Sequence, residues 1–534
     1  MKMPSSTGLQ HKFSEIPQAQ IERSSFDRSH SHKTMFDPDY LIPFYIDEVL
    51  PGDTFNVDVT NFIRMSSALN VPIMDNMYLD TFFFFVPNRL VWTNFVKFMG
   101  EQDNPADSVN FTKPQIVADA ATGFVVGSLS DYFGLPTGVN SLSVDSQFHR
   151  AYNLIYNQWF RDENIQNSVT VDTGNGPDTI TNYVLKQRGK RHDYFTSCLP
   201  WAQKGTAVTF PLGTTAPVIM DPNVSASAGL SFRAVGGGSN RNFDSVNAAK
   251  TIQADANWDV TNHIRFDTTS NAVADLTNAA SATINALRLA FQQQKMLERD
   301  ARGGTRYTEI VKSHFGVTSP DARLQRTEFL GGRSTPIQIS TVPQTSASNT
   351  QPTPQGNLAA FALGTNTRDG FTKSFTEHGV ILGLCMVRAD LTYQQGLNKM
   401  FSRSTRLDYY FPALAHLGEQ SVLTKEIYCL GAAGGANDAT VFGYQERFAE
   451  YRYYPSKITG KLRSTYATPL DVWHLAQKFT SAPTLSDTFI KETMPITRIE
   501  AVTSQPAFVM DCFIKCRAVR PMPVYSVPGM IDHF

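Results

Sequence analysis

The segment that decides the fold is Tyr78-Leu-Asp-Thr-Phe-Phe-Phe-Phe-Val86, which ends at Pro87. Successive side chains of a strand point to opposite faces, so a strand that is apolar at both parities is covered on both sides. Residues 380–387 form another apolar run of strand length, and residues 507–519 form a late strand. Residues 55–60 alternate apolar with polar, which predicts a strand buried on one face. These segments predict a β-sheet with a thick core.

Helical signals are fewer. The strongest covers residues 281–302, where apolar residues recur at helical spacing and two glycines follow. A shorter helix is predicted over residues 89–100, with Phe95 and Phe98 facing inward. The chain is therefore expected to be all-β with a few short helices.

The composition is sparse in charge for a chain of 534 residues. Charged residues make up 18%, against about 25% in an ordinary domain. Lys and Arg number 47 and Asp and Glu 48, which gives a net charge of -1. A hydrophobic content of 41% excludes a disordered chain, and neutrality argues against a free nucleic-acid binder that works by bulk charge. No apolar run approaches the roughly 18 residues of a membrane helix, and the polar first residues lack a signal-peptide core. Partners are expected to cover part of the surface.

Strands at both ends, with long connections between them, favour one domain over a string of domains. The fold predicted is an eight-stranded antiparallel jelly roll with long loop insertions, which needs strands of only about six residues. The predicted parts are an extended N-terminal arm (1–50), a single jelly-roll domain (51–534), an insertion rich in Ala, Asn, Ser, Thr and Gly (206–280), a polar loop (333–357) and an extended C-terminal strap (517–534).

The five cysteines are scattered. Cys512 and Cys516 would lie on one face of a strand about 13 Å apart, too far for a disulfide. Without a nearby pair of histidines they are a weak metal signal. Buried, reduced thiols are the favoured interpretation.

No motif for catalysis, a cofactor or a metal is present in the sequence. We find no Gly-x-Ser-x-Gly elbow, no Walker loop and no His-Glu-x-x-His. Gly236-Gly-Gly238 is typical of a flexible turn, and His30-x-His32 lacks a third clustered ligand. The chain is therefore predicted not to be an enzyme and to need no cofactor.

Basic residues cluster locally in spite of the neutral total. Residues 186–191 could contact phosphates, although a solvated or intersubunit face is the default interpretation. Tyr451-Arg-Tyr-Tyr-Pro455 interleaves aromatic rings with a cation and could stack nucleobases, but an ordinary strand with Arg452 facing outward is favoured. The candidate DNA-facing residues are Arg23, Arg28, Lys33, Lys186, Arg188, Lys190 and Arg191.

Several long segments resemble the major capsid protein of gokushoviruses, small single-stranded-DNA bacteriophages of the microvirus group. The resemblance runs from residue 23 to the C-terminus and is absent from residues 213–275 and 333–357. The segments that carry it include Phe26-Asp-Arg-Ser-His30, Leu79-Asp-Thr-Phe-Phe-Phe-Phe-Val-Pro-Asn-Arg89, Trp159-Phe-Arg-Asp-Glu-Asn164, Arg191-His-Asp-Tyr-Phe-Thr-Ser-Cys-Leu-Pro-Trp201 and Arg520-Pro-Met-Pro-Val-Tyr-Ser-Val-Pro-Gly-Met-Ile-Asp-His-Phe534.

The resemblance implies a viral-coat jelly roll that self-assembles into a T=1 icosahedral shell around circular single-stranded DNA in the bacterial cytoplasm. It implies that the insertion at residues 206–280 forms a surface protrusion at the threefold axes that is used for host attachment. The implied partners are other copies of the chain, packaged single-stranded DNA, a small basic DNA-packaging protein, a minor or pilot capsid protein and a host surface receptor, with no membrane insertion.

Two other classes of function were weighed. A β-rich glycan-binding module would need an aromatic platform, which five Trp without repeated spacing do not favour. An enzyme has no set of catalytic residues behind it. A structural coat subunit is the function that the sequence favours.

Overall fold

The computed structural model describes residues 22–208, 284–317, 325–346 and 355–525, together with four three-residue strands between residues 218 and 274. The described residues fall into two compact units. The larger unit contains the described residues up to 202, those within 305–312 and those from 316 onward. The smaller unit contains the described residues within 203–304 and 313–315.

The fold is dominated by strands. In chain order they are β1 Ser24–Asp27, β2 His30–Phe36, β3 Ile42–Val49, β4 Thr54–Met65, β5 Met77–Pro87, β6 Gln115–Val117, β7 Ser143–Asp145, β8 Val218–Met220, β9 Phe232–Ala234, β10 Ile264–Phe266, β11 Ala272–Ala274, β12 Glu328–Pro343, β13 Leu358–Ser374, β14 Gly379–Ala389, β15 Glu419–Leu423, β16 Val441–Glu446 and β17 Phe508–Arg520.

The α-helices are mostly single turns. They are α1 Asn88–Val91, α2 Phe95–Phe98, α3 Leu129–Tyr132, α4 Gln147–Ile155, α5 Ile284–Arg302, α6 Tyr307–Phe315, α7 Thr424–Ile427 and α8 Asp487–Ile490. Among the described residues, no helix combines the length and the apolar character needed to cross a bilayer.

One large antiparallel sheet organises the larger unit. Its strand order is β1-β17-β4-β13-β12-β5-β14-β3, and β2 also pairs with β17, which makes nine strands. The predicted strands at 55–60, 78–86, 380–387 and 507–519 are confirmed as β4, β5, β14 and β17. The all-β antiparallel prediction is therefore confirmed, and the eight-stranded count stays a prediction.

The sheet curls around one apolar core. Phe83 of β5 contacts Phe371 of β13 with ring centroids 5.5 Å apart, and Phe55 of β4 contacts Phe375 at 5.9 Å. Side chains of β17 such as Met510 belong to the same buried cluster. Because strands that are distant in the sheet order share this core, the sheet forms a half-barrel.

The outer face of β5 and β14 is buried as well. Phe84 lies against Phe160 at 5.8 Å, and Tyr152 of α4 belongs to the same second cluster. Every residue of β14 is buried. The prediction that the apolar strand around residues 78–86 is covered on both faces is confirmed.

The first described residues extend the sheet at its β17 side. Strand β1 pairs Phe26 with Ala518, and β2 pairs His32 with Cys512. The partner strand lies almost 500 residues later in the chain, so local sequence carries no signal for this pairing. The predicted division between an arm and a barrel at residue 50 stays a prediction.

The structure differs from the sequence-based expectation in three further places. Residues 89–100 form two single turns, α1 and α2, and Phe98 keeps 38% of its surface exposed. Residues 333–343, expected to begin a polar loop, lie in β12, where polar residues such as Ser334 and Gln338 are exposed on the face that meets solvent. Residues 451–455, expected to be a strand, lie in a short turn and a loop.

The remaining sequence predictions fall partly outside the described residues. Helix α5 confirms the helical pattern over residues 284–302. Most of residues 206–280, the glycines at 236–238, residues 347–354 and residues 526–534 lie outside the described residues. The cysteines are free thiols, and those at 512 and 516 are buried in the core as predicted.

Candidate functional site

The three basic candidates near the N-terminus lie along the edge of the curled sheet. Arg28 donates to Asp47 of β3 at 2.7 Å, which joins the β1–β2 edge to the opposite edge of the half-barrel. Arg23 donates to the Gly52 carbonyl and Lys33 lies 3.5 Å from Asp511. Lys33 and Arg23 remain exposed, whereas the charge of Arg28 is paired with a carboxylate that is 5% exposed.

The segment 186–191 is fixed by backbone hydrogen bonds on two sides. The amide of Leu41 donates to the carbonyl of Lys186, and the amide of Lys190 donates to the carbonyl of Ile490. Lys186 is half-buried, and burial lowers its pKa. Lys190 is buried, donates to Gln477 at 3.0 Å, and has its pKa lowered by burial.

Asp80 collects the arginines of this region around one buried carboxylate. Its Oδ2 accepts from Arg388 at 2.8 Å and from Arg188 at 3.1 Å, and Arg191 lies at 3.5 Å. Asp80 and Arg388 are each 3% exposed at the side chain, whereas Arg191 is 51% exposed. The guanidinium of Arg188 also stacks 5.2 Å from the centroid of the Phe82 ring. The Asp80 cluster therefore has a buried structural part and one solvent-facing cation.

Two further buried carboxyls lie beside this segment. Burial raises the pKa of Glu492 to about 7, and the negative charge of Asp39 adds to the effect. Burial likewise raises the pKa of Asp39 to about 6. The sequence analysis did not identify Asp39 and Glu492, because their neighbours in the sequence form no recognisable motif. Only the fold places these two residues next to Lys190.

The structure therefore separates the seven basic candidates by exposure. Their role toward DNA stays a prediction. Lys190 is buried, Lys186 and Arg188 are half-buried, and the exposed candidates are Arg23, Arg28, Lys33 and Arg191. Of the exposed candidates, Arg28, Lys33 and Arg191 also lie beside a carboxylate.

His192-Asp193, which resembles an acid/base pair in sequence, has a structural role. Asp193 accepts hydrogen bonds from the amides of Phe195 and Thr196 at 2.9 and 2.8 Å and from the hydroxyl of Tyr393 at 2.6 Å. The carboxylate therefore fixes a turn. Among the described residues, no group of three His, Cys, Asp or Glu side chains is placed to hold a metal ion.

An open aromatic cavity of about 80 Å³ lies beside this turn. Phe195 and Tyr393 form its inner wall, with ring centroids 4.8 Å apart. Tyr453 and Tyr454, from the aromatic segment noted in the sequence, form part of its rim, and Lys457 and Arg463 also line it. We call this cavity the tyrosine pocket.

Comparison with known proteins gives a match along the whole chain. Residues 14–530 match the family described as capsid protein (F protein). The chain belongs to this capsid protein family. It is 48% identical to capsid protein VP1 of Bdellovibrio phage phiMH2K over 98% of both chains, and 43% identical to capsid protein VP1 of Chlamydia phage 1 over 99% of both. Identity to capsid protein VP1 of Spiroplasma virus 4 is 38%, again over 99% of both chains.

The resemblance drawn from the sequence is thereby confirmed at the level of the microvirus capsid protein family. The chain is a structural, non-enzymatic major capsid protein of a phage virion. In such a protein the functional surfaces include those that contact other subunits.

A second cavity gives the capsid protein a pH-dependent element. It has a volume of about 460 Å³ and is lined by Asp37, Asp39 and Glu500, among others. Burial and the neighbouring charge of Asp37 raise the pKa of Glu500 to about 7, and its Oε1 has no hydrogen-bond partner within the described chain.

We expect Glu500→Gln to stabilise the folded chain above neutral pH. A carboxyl whose pKa is higher in the folded state binds more protons when folded, so the free energy of unfolding falls as pH rises from about 4.5 to about 7. The amide removes this loss, and a gain of roughly 1–3 kcal/mol is expected at pH 8, shrinking toward zero near pH 4. Urea unfolding at both pH values measures it. The exposed control Glu101→Gln should change stability by less than about 0.5 kcal/mol at either pH, and equal effects of the two variants would contradict the assignment.

Proposed function

We propose that this capsid protein self-assembles into a T=1 icosahedral shell that encloses a circular single-stranded DNA phage genome. The observation that carries the proposal is the similarity, over 98–99% of each chain, to three proteins named capsid protein VP1 of phages and a spiroplasma virus. The gokushovirus resemblance supplies the shell symmetry and the genome type.

The outer face of the sheet supports association with other copies. Phe62 of β4 and Phe513 of β17 are 44% and 52% exposed. Phe513 pairs in register with Thr60, so the two rings lie diagonally across neighbouring strands. Phe361 of β13, on the other side of β4, is 45% exposed. Exposed aromatic rings that share one face of a sheet are suited to contact another protein surface.

The charge balance supports a division of labour inside the shell. A subunit with a net charge of -1 does not neutralise packaged phosphates on average. We therefore propose that a small basic packaging protein supplies most of the positive charge, and that local cations such as Arg23, Lys33 and Arg191 add to it. A minor or pilot capsid protein and a host receptor complete the proposed set of partners, and assembly takes place in the bacterial cytoplasm.

The domain assignments are part of the same proposal. Residues 1–50 act as an arm whose strands β1 to β3 join the sheet, and residues 51–534 supply the rest of the barrel with its insertions. Residues 517–534 act as a strap that begins within the end of β17 and runs against the sheet or a neighbour. Residues 206–280 form the threefold protrusion, and residues 333–357 include a polar loop.

Deleting residues 213–275 is expected to spare assembly and to abolish attachment to host cells. The reason is that this segment has the polar, loop-like composition of the proposed protrusion and precedes helix α5 in the chain. Particle yield by sedimentation and adsorption of particles to host cells measure the two functions separately. Loss of assembly with this deletion would show that the segment belongs to the shell and would contradict the proposed role.

The genome content is tested with purified particles. We expect DNA that resists nuclease in intact particles and becomes sensitive to a single-strand-specific nuclease after disruption. Particles that protect only duplex DNA or RNA would contradict the proposal. A recombinant shell that bound single-stranded DNA tightly at physiological salt without a packaging protein would contradict the division of labour.

A further inference from the structure

The segment 451–466 is strongly basic in a chain that is nearly neutral. It contains Arg452, Lys457, Lys461 and Arg463 and no Asp or Glu, so its formal charge is +4 against -1 for the whole chain. All four cations are exposed. Within the described part of the chain, Lys461 and Arg463 make no ion pair. Their positive charge is therefore available to an external anion.

Exposed tyrosines alternate with these cations. Tyr451, Tyr453 and Tyr454 are 52%, 56% and 58% exposed. The Arg452 guanidinium lies 5.8 Å from the centroid of the Tyr453 ring, and the Lys457 ammonium lies 5.3 Å from that of Tyr454. Aromatic faces next to cations are the combination by which proteins bind single-stranded nucleic acid without reading its sequence.

The backbone of this segment is held at two buried points. The amide of Ile458 donates to the carbonyl of Tyr393 at 3.0 Å, and the amide of Ser464 donates to Oε1 of Gln394 at 2.7 Å. Ile458 and Ser464 are 9% and 3% exposed. The side chains between and around these points are therefore presented outward from a fixed backbone, which reduces the ordering cost of binding.

The tyrosine pocket lies next to this segment. Its volume of about 80 Å³ is well below the roughly 300–1,000 Å³ of small-molecule sites, so it can take only the edge of a ligand whose remainder lies on the surface. Aromatic walls from Phe195 and Tyr393 and rim residues Tyr454, Lys457 and Arg463 give it stacking faces beside cations. A nucleobase fits this chemistry, with its phosphates directed to the basic rim.

We propose that the basic tyrosine surface, defined as residues 451–466 together with the tyrosine pocket, binds single-stranded DNA on the capsid protein. This proposal rests on the proposed enclosure of a single-stranded genome and adds a specific binding surface outside the seven basic candidates. The tyrosine rings stack on bases, and Lys457, Lys461 and Arg463 contact phosphates.

An interface with a second copy of the chain is the other use such a surface could have. Interface cores are depleted of Lys and tend to pair their charges across the contact. Residues 451–466 instead carry two lysines and two arginines and no carboxylate. The pocket also contains Glu426 and Glu450, but these are paired with Lys399 and Arg403. The charge pattern of this surface matches a polyanion better than another nearly neutral subunit.

The binding test uses the full chain and labelled oligothymidylate, followed by fluorescence anisotropy at several salt concentrations. Tyr453→Ala and Tyr454→Ala are each expected to weaken binding about 10-fold, whereas Tyr453→Phe keeps it. The double variant Lys461→Gln/Arg463→Gln should reduce the slope of log affinity against log salt by about 1.4. Tyr307→Ala is the matched control, since Tyr307 is an 80% exposed tyrosine outside the surface.

A second measurement needs no variant, and it tests the DNA-binding surface separately from the proposed enclosure of a single-stranded genome. Ultraviolet cross-linking of DNA in intact particles is expected to label peptides that contain residues 451–466. Particles that hold single-stranded DNA but cross-link only elsewhere would overturn the surface and leave the proposed function standing. Unchanged oligonucleotide binding in the alanine variants would also overturn it, and loss of assembly with unchanged binding would assign the surface to a second copy. Particles without single-stranded DNA would instead overturn the proposed function.

Discussion

Replacing Asp80 by asparagine is expected to lower the free energy of unfolding by about 3 kcal/mol. Asp80 is the shared counter-charge of Arg188, Arg191 and Arg388, and both Asp80 and Arg388 are 3% exposed. Asparagine keeps the shape of the side chain but removes its charge. The buried guanidinium of Arg388 then lacks the carboxylate that neutralises it. Breaking a buried ion pair from one side is strongly destabilising because the remaining charge stays desolvated.

Asp390→Asn is the matched control for this variant. Asp390 pairs with the same Arg388 at 3.4 Å, but its side chain is 48% exposed. An exposed ion pair contributes at most about 1 kcal/mol. Urea unfolding of the unassembled chain, followed by far-ultraviolet circular dichroism, measures both variants. Equal losses for the two, or no loss for Asp80→Asn, would contradict the account of the Asp80 cluster.

Phe83→Ala is expected to destabilise the folded chain by about 3–5 kcal/mol. Phe83 is completely buried and its ring packs against Phe44 at 5.6 Å and Phe371 at 5.5 Å. These contacts join β5 to β3 on one side of the sheet order and to β13 on the other. The substitution therefore leaves a cavity in the core of the half-barrel. The free energy of unfolding from urea titration gives the magnitude.

Phe513→Ala serves as the control for the core substitution. Phe513 lies on β17 of the same sheet and is 52% exposed. Its removal should change the stability of the unassembled chain by less than about 0.5 kcal/mol. A loss at Phe513 as large as that at Phe83 would mean that the outer face of the sheet is covered within one chain.

The central strands could be predicted from the sequence because burial on one or both faces determines which of their consecutive residues are apolar. Residues 55–60 alternate between faces. Residues 380–387, and residues 78–86 apart from Asp80 and Thr81, are apolar at both parities, as expected of strands covered on both sides. Those patterns depend only on neighbouring residues, and the structure confirms all three.

Other elements depend on partners that sequence cannot place. Strands β1 and β2 are polar and form because β17 supplies the pairing edge. Residues 333–343 contain two prolines and many polar side chains, yet they form the end of β12 because β13 and β5 pair with that strand on either side. Such strands are stabilised by long-range hydrogen bonds, not by their own apolar content.

The candidate site was predicted only in part for a similar reason. Basic clusters are visible in sequence, but their neutralisation by Asp80 and Asp47 is not, because both carboxylates lie in other strands. The aromatic segment at residues 451–455 was visible too. Its assignment as a strand was wrong. Alternation of aromatic residues with a cation occurs in strands and in extended loops alike, so the pattern does not distinguish between them.

Electron microscopy of particles tests the central claim most directly. The account predicts that the expressed chain, or lysate of infected cells, contains closed T=1 icosahedral shells built from this protein. An image reconstruction should then show the sheet face that carries Phe62 and Phe513 covered by a neighbouring subunit. A chain that remains monomeric in both preparations across a range of salt concentrations would contradict it.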